Sequence, residues 1–157
     1  MTMLKKRQEF LASLPRHPGA QERLSWLVEH ARQQTPLEAE FKTAAQRVPG
    51  CLAKLWLAAE CREGRCYFRC DSDSLIIKAI AGLLCEFYSG CSPEEILGQD
   101  PSFFREAGIT QHLTGNRRNA LSRVWETIRA FAVRQTPPAS FDARAFITAA
   151  TSDDSLG

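Results

Sequence analysis

The chain has 157 residues, 44% of them apolar and 24% charged, and its 20 Lys/Arg and 18 Asp/Glu nearly cancel at +2. That is a normal length for one domain, enough to bury roughly two-thirds of the unfolded surface. The near balance of charge argues against nucleic-acid binding, which leaves a concentrated basic face.

Met1 to Phe10 carries Lys5, Lys6 and Arg7 but lacks the apolar run of a secretory leader, and no stretch reaches the apolar length of a membrane span. A soluble cytoplasmic protein is expected. Leu4 to Leu14 reads as a short helix, cut off by Pro15 and Pro18. From Ala20 to Gln33, Leu24, Leu27, Val28 and Ala31 form one helical stripe, ended by Thr35-Pro36. A looser segment leads to Val48-Pro49-Gly50-Cys51. There Pro restricts its predecessor and Gly relaxes the backbone, which predicts a loop bearing Cys51.

Lys54 to Glu60 reads as a strand, Arg62-Glu63-Gly64 as a turn, and Arg65 to Cys70 as a second strand. On it Cys66, Phe68 and Cys70 share one face and Arg65, Tyr67 and Arg69 the other. Asp71-Ser72-Asp73-Ser74 supplies cap oxygens for a helix from Leu75 to Tyr88, apolar nearly all round and so expected to be buried. Ser92-Pro93-Glu94-Glu95 carries the cap, first-turn proline and capping-box glutamate of another helix. Asp100-Pro101 opens a short helix closed by Gly108. Asn116 to Gln135 is a long one with Leu121, Val124, Trp125 and Ile128 on its stripe. Residues 1–136 are read as one domain and 137–157 as a mobile tail. The order of elements predicts an α+β fold, a small antiparallel β-sheet packed against several helices.

The six cysteines, at 51, 61, 66, 70, 85 and 91, include no Cys-x-x-Cys, and in a reducing compartment they are expected to be thiols. Cys61, Cys66, Cys70 and Cys85 read as structural packing, Cys91 as an incidental thiol beside a helix start, and Trp56 and Trp125 as core residues. Cys66 and Cys70 lie about 13 Å apart along one strand face, too far for one zinc ion. Cys61 and Cys66 flank the turn, where oxidation would allow a disulfide.

Several strings together resemble the SufE family. Val48-Pro49-Gly50-Cys51 followed by Leu55-Trp56 is similar to its Gly-Cys loop and strand. Asp71-Ser72-Asp73 with Ile77 and Lys78 is similar to its Gly-Asp-Ser-Asp turn. Thr110-Gln111-His112-Leu113-Thr114 with Arg117 and Leu121 is similar to the start of its last helix. The three occur in the family's order across about residues 20–135. Departures are Leu52-Ala53 after the cysteine, Cys70 in place of a glycine, and Gly115 in place of a proline.

The resemblance implies a fold shared with IscU-type iron–sulfur scaffolds. It also implies a non-enzymatic sulfur acceptor that stimulates a PLP-dependent cysteine desulfurase of the SufS or CsdA kind. Cys51 would hold the persulfide; Asp71, Asp73 and Arg117 would engage the desulfurase. The partner brings the PLP, so no cofactor or metal is expected on this chain. A downstream acceptor or cluster scaffold would receive the sulfur, and the chain would be a monomer or homodimer.

The chemistry suits a cysteine, because persulfide exchange needs a thiolate nucleophile with controlled access. Leu52, Ala53 and Leu55 suggest an apolar pocket that shelters Cys51, with Gly50 as a hinge. Burial would raise the thiol pKa, offset by Lys54, by Arg117 or by activation in the complex. Two alternatives stand beside this reading. One is a metal or cluster scaffold drawing on Cys51, Cys61, Cys66, Cys70 and His112. The other is a desulfurase regulator that carries no sulfur.

Overall fold

The structure is a computed structural model of the chain and describes residues 3–13, 20–34, 36–102 and 113–136. Two helices, α1 (Met3–Ser13) and α2 (Ala20–Arg32), precede short 3-10 turns at Ala39–Phe41 and Ala44–Gln46. A hairpin of β1 (Leu55–Arg62) and β2 (Arg65–Ser72) follows. Then come α3 (Leu75–Tyr88), α4 (Pro93–Leu97) and α5 (Gly115–Gln135). This is the α+β arrangement expected, with an antiparallel pair of strands against helices. The helix predicted from Asp100 lies, beyond Ser102, outside the described residues, as do His112 and the 137–157 tail.

The hairpin forms because its two-residue turn takes left-handed backbone at both positions, Glu63 with φ of 52° and Gly64 with φ of 78°. That twist matches the strands it joins. Register then follows from the pleat: Cys66, Phe68 and Cys70 turn inward, while Arg65 and Arg69 stay exposed. The inward face meets α3, whose Ile77, Ile80, Leu83, Leu84 and Phe87 are buried. A helix apolar on most sides has to be enclosed. Here the hairpin, α2 and α5 enclose it through Leu27, Ala31, Val124 and Ile128. Trp125 is half-buried and stacks on Tyr88 with ring centroids 5.1 Å apart.

Caps fix where the helices begin. Ser74 accepts from the Ile77 N–H at the head of α3, and Ser92 and Glu95 form a full capping box on α4. The predicted cap run is corrected in one respect: β2 continues through Asp71 and Ser72, and only Ser74 is the α3 cap. Trp56 is corrected as well. It stands outside the core cluster, with the Lys42 ammonium 5.6 Å from its ring centroid.

Candidate functional site

Cys51 sits on a short excursion of chain that leaves and returns at the open end of the hairpin. The Val48 N–H donates to the Leu55 carbonyl at 2.8 Å, which closes the base of the excursion. Its returning end is tied to the turn after β2. Lys54 N–H donates to Asp73 Oδ1 at 3.0 Å, and the Lys54 carbonyl accepts from Ser72 Oγ at 2.7 Å and the Asp73 N–H at 3.2 Å. The apex needs glycine, because Gly50 has φ of +80°. There Asn119 Nδ2 on α5 donates to the Gly50 carbonyl at 2.8 Å, and Arg123 lies so close that a Cβ on Gly50 would stand 2.8 Å from its Nε.

Cys51 emerges from this clamp half-buried, packed with Ala53 against the core. Leu52 does not join them. It is 82% exposed, so the expected apolar pocket loses one wall and the surface gains an apolar point beside the thiol. Burial pushes the Cys51 thiol above its ordinary pKa; Arg123 and then Arg47 pull it partly back. These two guanidiniums, not Lys54 or Arg117, are the cations acting on the sulfur. Beside the loop runs a cleft of about 460 Å³ lined by Lys42, Arg47, Pro49, Lys54 and Trp56, which makes this flank cationic.

The other residues singled out by sequence fall into different settings. Asp73 is exposed and braces the loop through Lys54. Asp71 is 5% exposed and lies across the register from Trp56, on the opposite strand face from Cys70. Its carboxylate pairs with Lys42 at 3.0 Å and Lys78 at 3.4 Å and accepts from the N–H groups of Leu37 and Ser72. Burial pushes its pKa up, but the Lys42 hydrogen bond, the two N–H donors and the Lys78 charge outweigh it, and the carboxyl lies below its ordinary value. Arg117 is half-buried in the first turn of α5, where its N–H donates to the Thr114 cap.

Among the cysteines, Cys70 and Cys85 are buried neighbours, and Cys66 is buried. Two expectations are corrected. Cys61 is exposed at the hairpin tip instead of packed in the core; Cys91 is buried and its carbonyl accepts from the Cys66 N–H. Among the described residues no three His, Cys, Asp or Glu side chains converge as metal ligands. Asn119, Arg123 and Arg47 are the site residues sequence reasoning missed. The only signal was an Asn and an Arg four apart on the polar face of the last helix.

A family model described as SufE, Fe-S metabolism associated domain, matches residues 8–132. An uncharacterized SufE-like protein of Synechocystis is 27% identical over 118 residues, spanning 75% of this chain and 74% of that protein. SufE-like protein 1 of Arabidopsis thaliana, described as chloroplastic/mitochondrial, is 36% identical over 96 residues, 60% of this chain and 26% of that protein. The match thus spans about a quarter of the plant protein. The solution structure of a hypothetical protein from Thermus thermophilus has the same fold. Its TM-score is 0.65 at 27% sequence identity, covering 85% of this chain and 97% of that one.

Proposed function

The chain belongs to the SufE family and so to Fe–S metabolism, and we propose that it carries sulfane sulfur as a persulfide on Cys51. The donor is a PLP-dependent cysteine desulfurase, whose turnover the chain stimulates by removing its product sulfur. In the transfer, the Cys51 thiolate attacks the terminal sulfur of the donor persulfide. The donor S–S bond breaks, the donor cysteine leaves as a thiolate, and the proton shed by Cys51 restores that thiolate to a thiol.

The observation that supports this reading is the half-buried Cys51, its thiolate favoured by Arg123 and Arg47, with Leu52 exposed beside it. At rest, burial keeps the sulfur protonated and sheltered. A partner that grips Leu52 and draws the loop outward removes the burial penalty and leaves the two arginines acting alone, so the thiol becomes more acidic in the complex. Asp73, which braces the loop, and Arg117, in the first turn of α5, are the proposed partner contacts. Asp71, being buried, acts indirectly, by holding Lys42 and the turn after β2 in place. The persulfide then passes to a downstream acceptor or cluster scaffold.

The deciding experiment incubates wild type and Cys51→Ser with the desulfurase and cysteine, and follows sulfide release and protein mass together. One added sulfur on Cys51, and no stimulation by the variant, is the expected result. Sulfur found on another cysteine, or undiminished stimulation by Cys51→Ser, would overturn the proposal.

A further inference from the structure

We propose that Cys61 and Cys66 form a second thiol site, a cross-strand pair that closes to a disulfide by exchange with a low-molecular-weight disulfide. The two are direct partners in the hairpin register, one step back from the turn. Cys66 spends its backbone groups on the opposite side: its N–H donates to the Cys91 carbonyl at 2.8 Å and its carbonyl accepts from the Gly90 N–H at 2.7 Å. Cys61 and Cys66 are therefore a non-hydrogen-bonded pair, with α-carbons about 4.5 Å apart and side chains on one face. A disulfide spans α-carbon separations of about 4.4–6.8 Å, so little backbone movement is needed.

Exposure divides the labour between them. Cys61 is open to a reagent, and Cys66, at 0% exposure, is reached only through Cys61. The rival partner for Cys66 is Cys91, but that residue is 3% exposed and its sulfur is engaged by Lys6 Nζ at 3.6 Å and the Phe87 carbonyl at 3.7 Å. Cys70 and Cys85 form another neighbouring pair, with both sulfurs buried and no outer thiol to admit a reagent. The tip is also remote from the carrier loop: Leu55 to Cys61 is six residues of strand, about 20 Å.

The exchange runs in two steps. The Cys61 thiolate attacks one sulfur of the disulfide RSSR and expels RS⁻, giving a mixed disulfide. The Cys66 thiolate then attacks Cys61 Sγ and expels the second RS⁻. Two protein thiols are oxidised, RSSR is reduced to two RSH, and the two protons lost by the cysteines protonate the leaving thiolates. Burial first, then Cys61, Cys91 and Glu94, push the Cys66 thiol up to about 11, so the second step is the slow one and quickens as pH rises. The ring closed is short, which limits the stabilisation it brings and keeps the bond reducible.

The test treats the full chain with oxidised glutathione, blocks remaining thiols by alkylation and maps peptides by mass spectrometry. A Cys61–Cys66 cross-link is expected in wild type and equally in Cys51→Ser, reversed by dithiothreitol. In Cys61→Ser, a change at an exposed position, Cys66 should stay unmodified until the protein is unfolded. A lasting glutathione adduct on Cys61, a Cys66–Cys91 link, or oxidation of Cys66 in Cys61→Ser would overturn the proposal. The result is independent of whether Cys51 carries sulfur.

Discussion

The two ends of the hairpin hold thiols under opposite controls. At the open end, Cys51 is half-buried and feels two guanidiniums. At the closed end, Cys61 is exposed and faces a buried cysteine across the register. A sheltered sulfur suits holding cargo, because a thiol that reached it would displace that cargo and end as a disulfide. An exposed sulfur beside a second one suits forming that bond. Local packing, rather than the shared cysteine chemistry, separates the two behaviours within one small sheet.

The largest expected effect comes from removing the sheltered sulfur. Cys51→Ser should return a stimulated desulfurase to the rate it shows alone. The fold should keep its stability to within about 0.5 kcal/mol in urea titration, since the side chain is only partly packed. Losing stability and stimulation together would mean that the residue mainly fills space.

Next in size is Asp71→Asn, which leaves Lys42 and Lys78 facing an uncharged amide. Breaking a buried pair of this kind costs about 3 kcal/mol, read by urea denaturation at pH 7. The folded carboxyl lies below its unfolded value of about 3.9, so its contribution is present above that pH and lost as pH falls through the folded pKa. The variant's stability should therefore fall less steeply than wild type's below about pH 4. Equal acid slopes would mean that Asp71 is not the carboxylate responsible.

These effects also mark how far the sequence could be read. Alternation in Arg65 to Cys70 was enough to orient β2, because a strand with one buried face has a period of two. The helix from Leu75 was legible for a similar reason: a segment apolar on most sides has to be enclosed. The Cys51 loop announced itself through Pro49 and Gly50. Asp71 misled as a cap because an aspartate after a strand looks the same from sequence whether its carboxylate turns toward the helix start or toward a lysine 29 residues earlier. Asn119 and Arg123 were illegible because their role depends on contacts with Gly50, 69 and 73 residues earlier, and on the helix alone they resemble solvated side chains.

A pair of glycine substitutions sharpens the contrast between the two ends. Gly50 and Gly64 share nearly the same left-handed backbone, but a Cβ meets Arg123 at the first and open space at the second. Gly64→Ala should cost about 1 kcal/mol from backbone strain alone. Gly50→Ala should cost somewhat more and also change the alkylation rate of Cys51, because Arg123 has to yield. Equal costs and an unchanged Cys51 would remove Arg123 from the site.

The smallest effect is the most specific. Arg123→Met keeps much of the side-chain bulk and removes one of the two charges that oppose the burial of Cys51. The thiol pKa should rise further, since less remains to stabilise the thiolate, and iodoacetamide should react with Cys51 about threefold more slowly at pH 8. Raising the pH should restore the rate, because the change acts on the thiolate fraction and leaves access to the sulfur intact. Cys61 on the same molecule is the internal control and should not respond. If Cys51 slows by the same factor at every pH, Arg123 works as a steric support for the loop, and the cation that tunes the Cys51 thiol is Arg47.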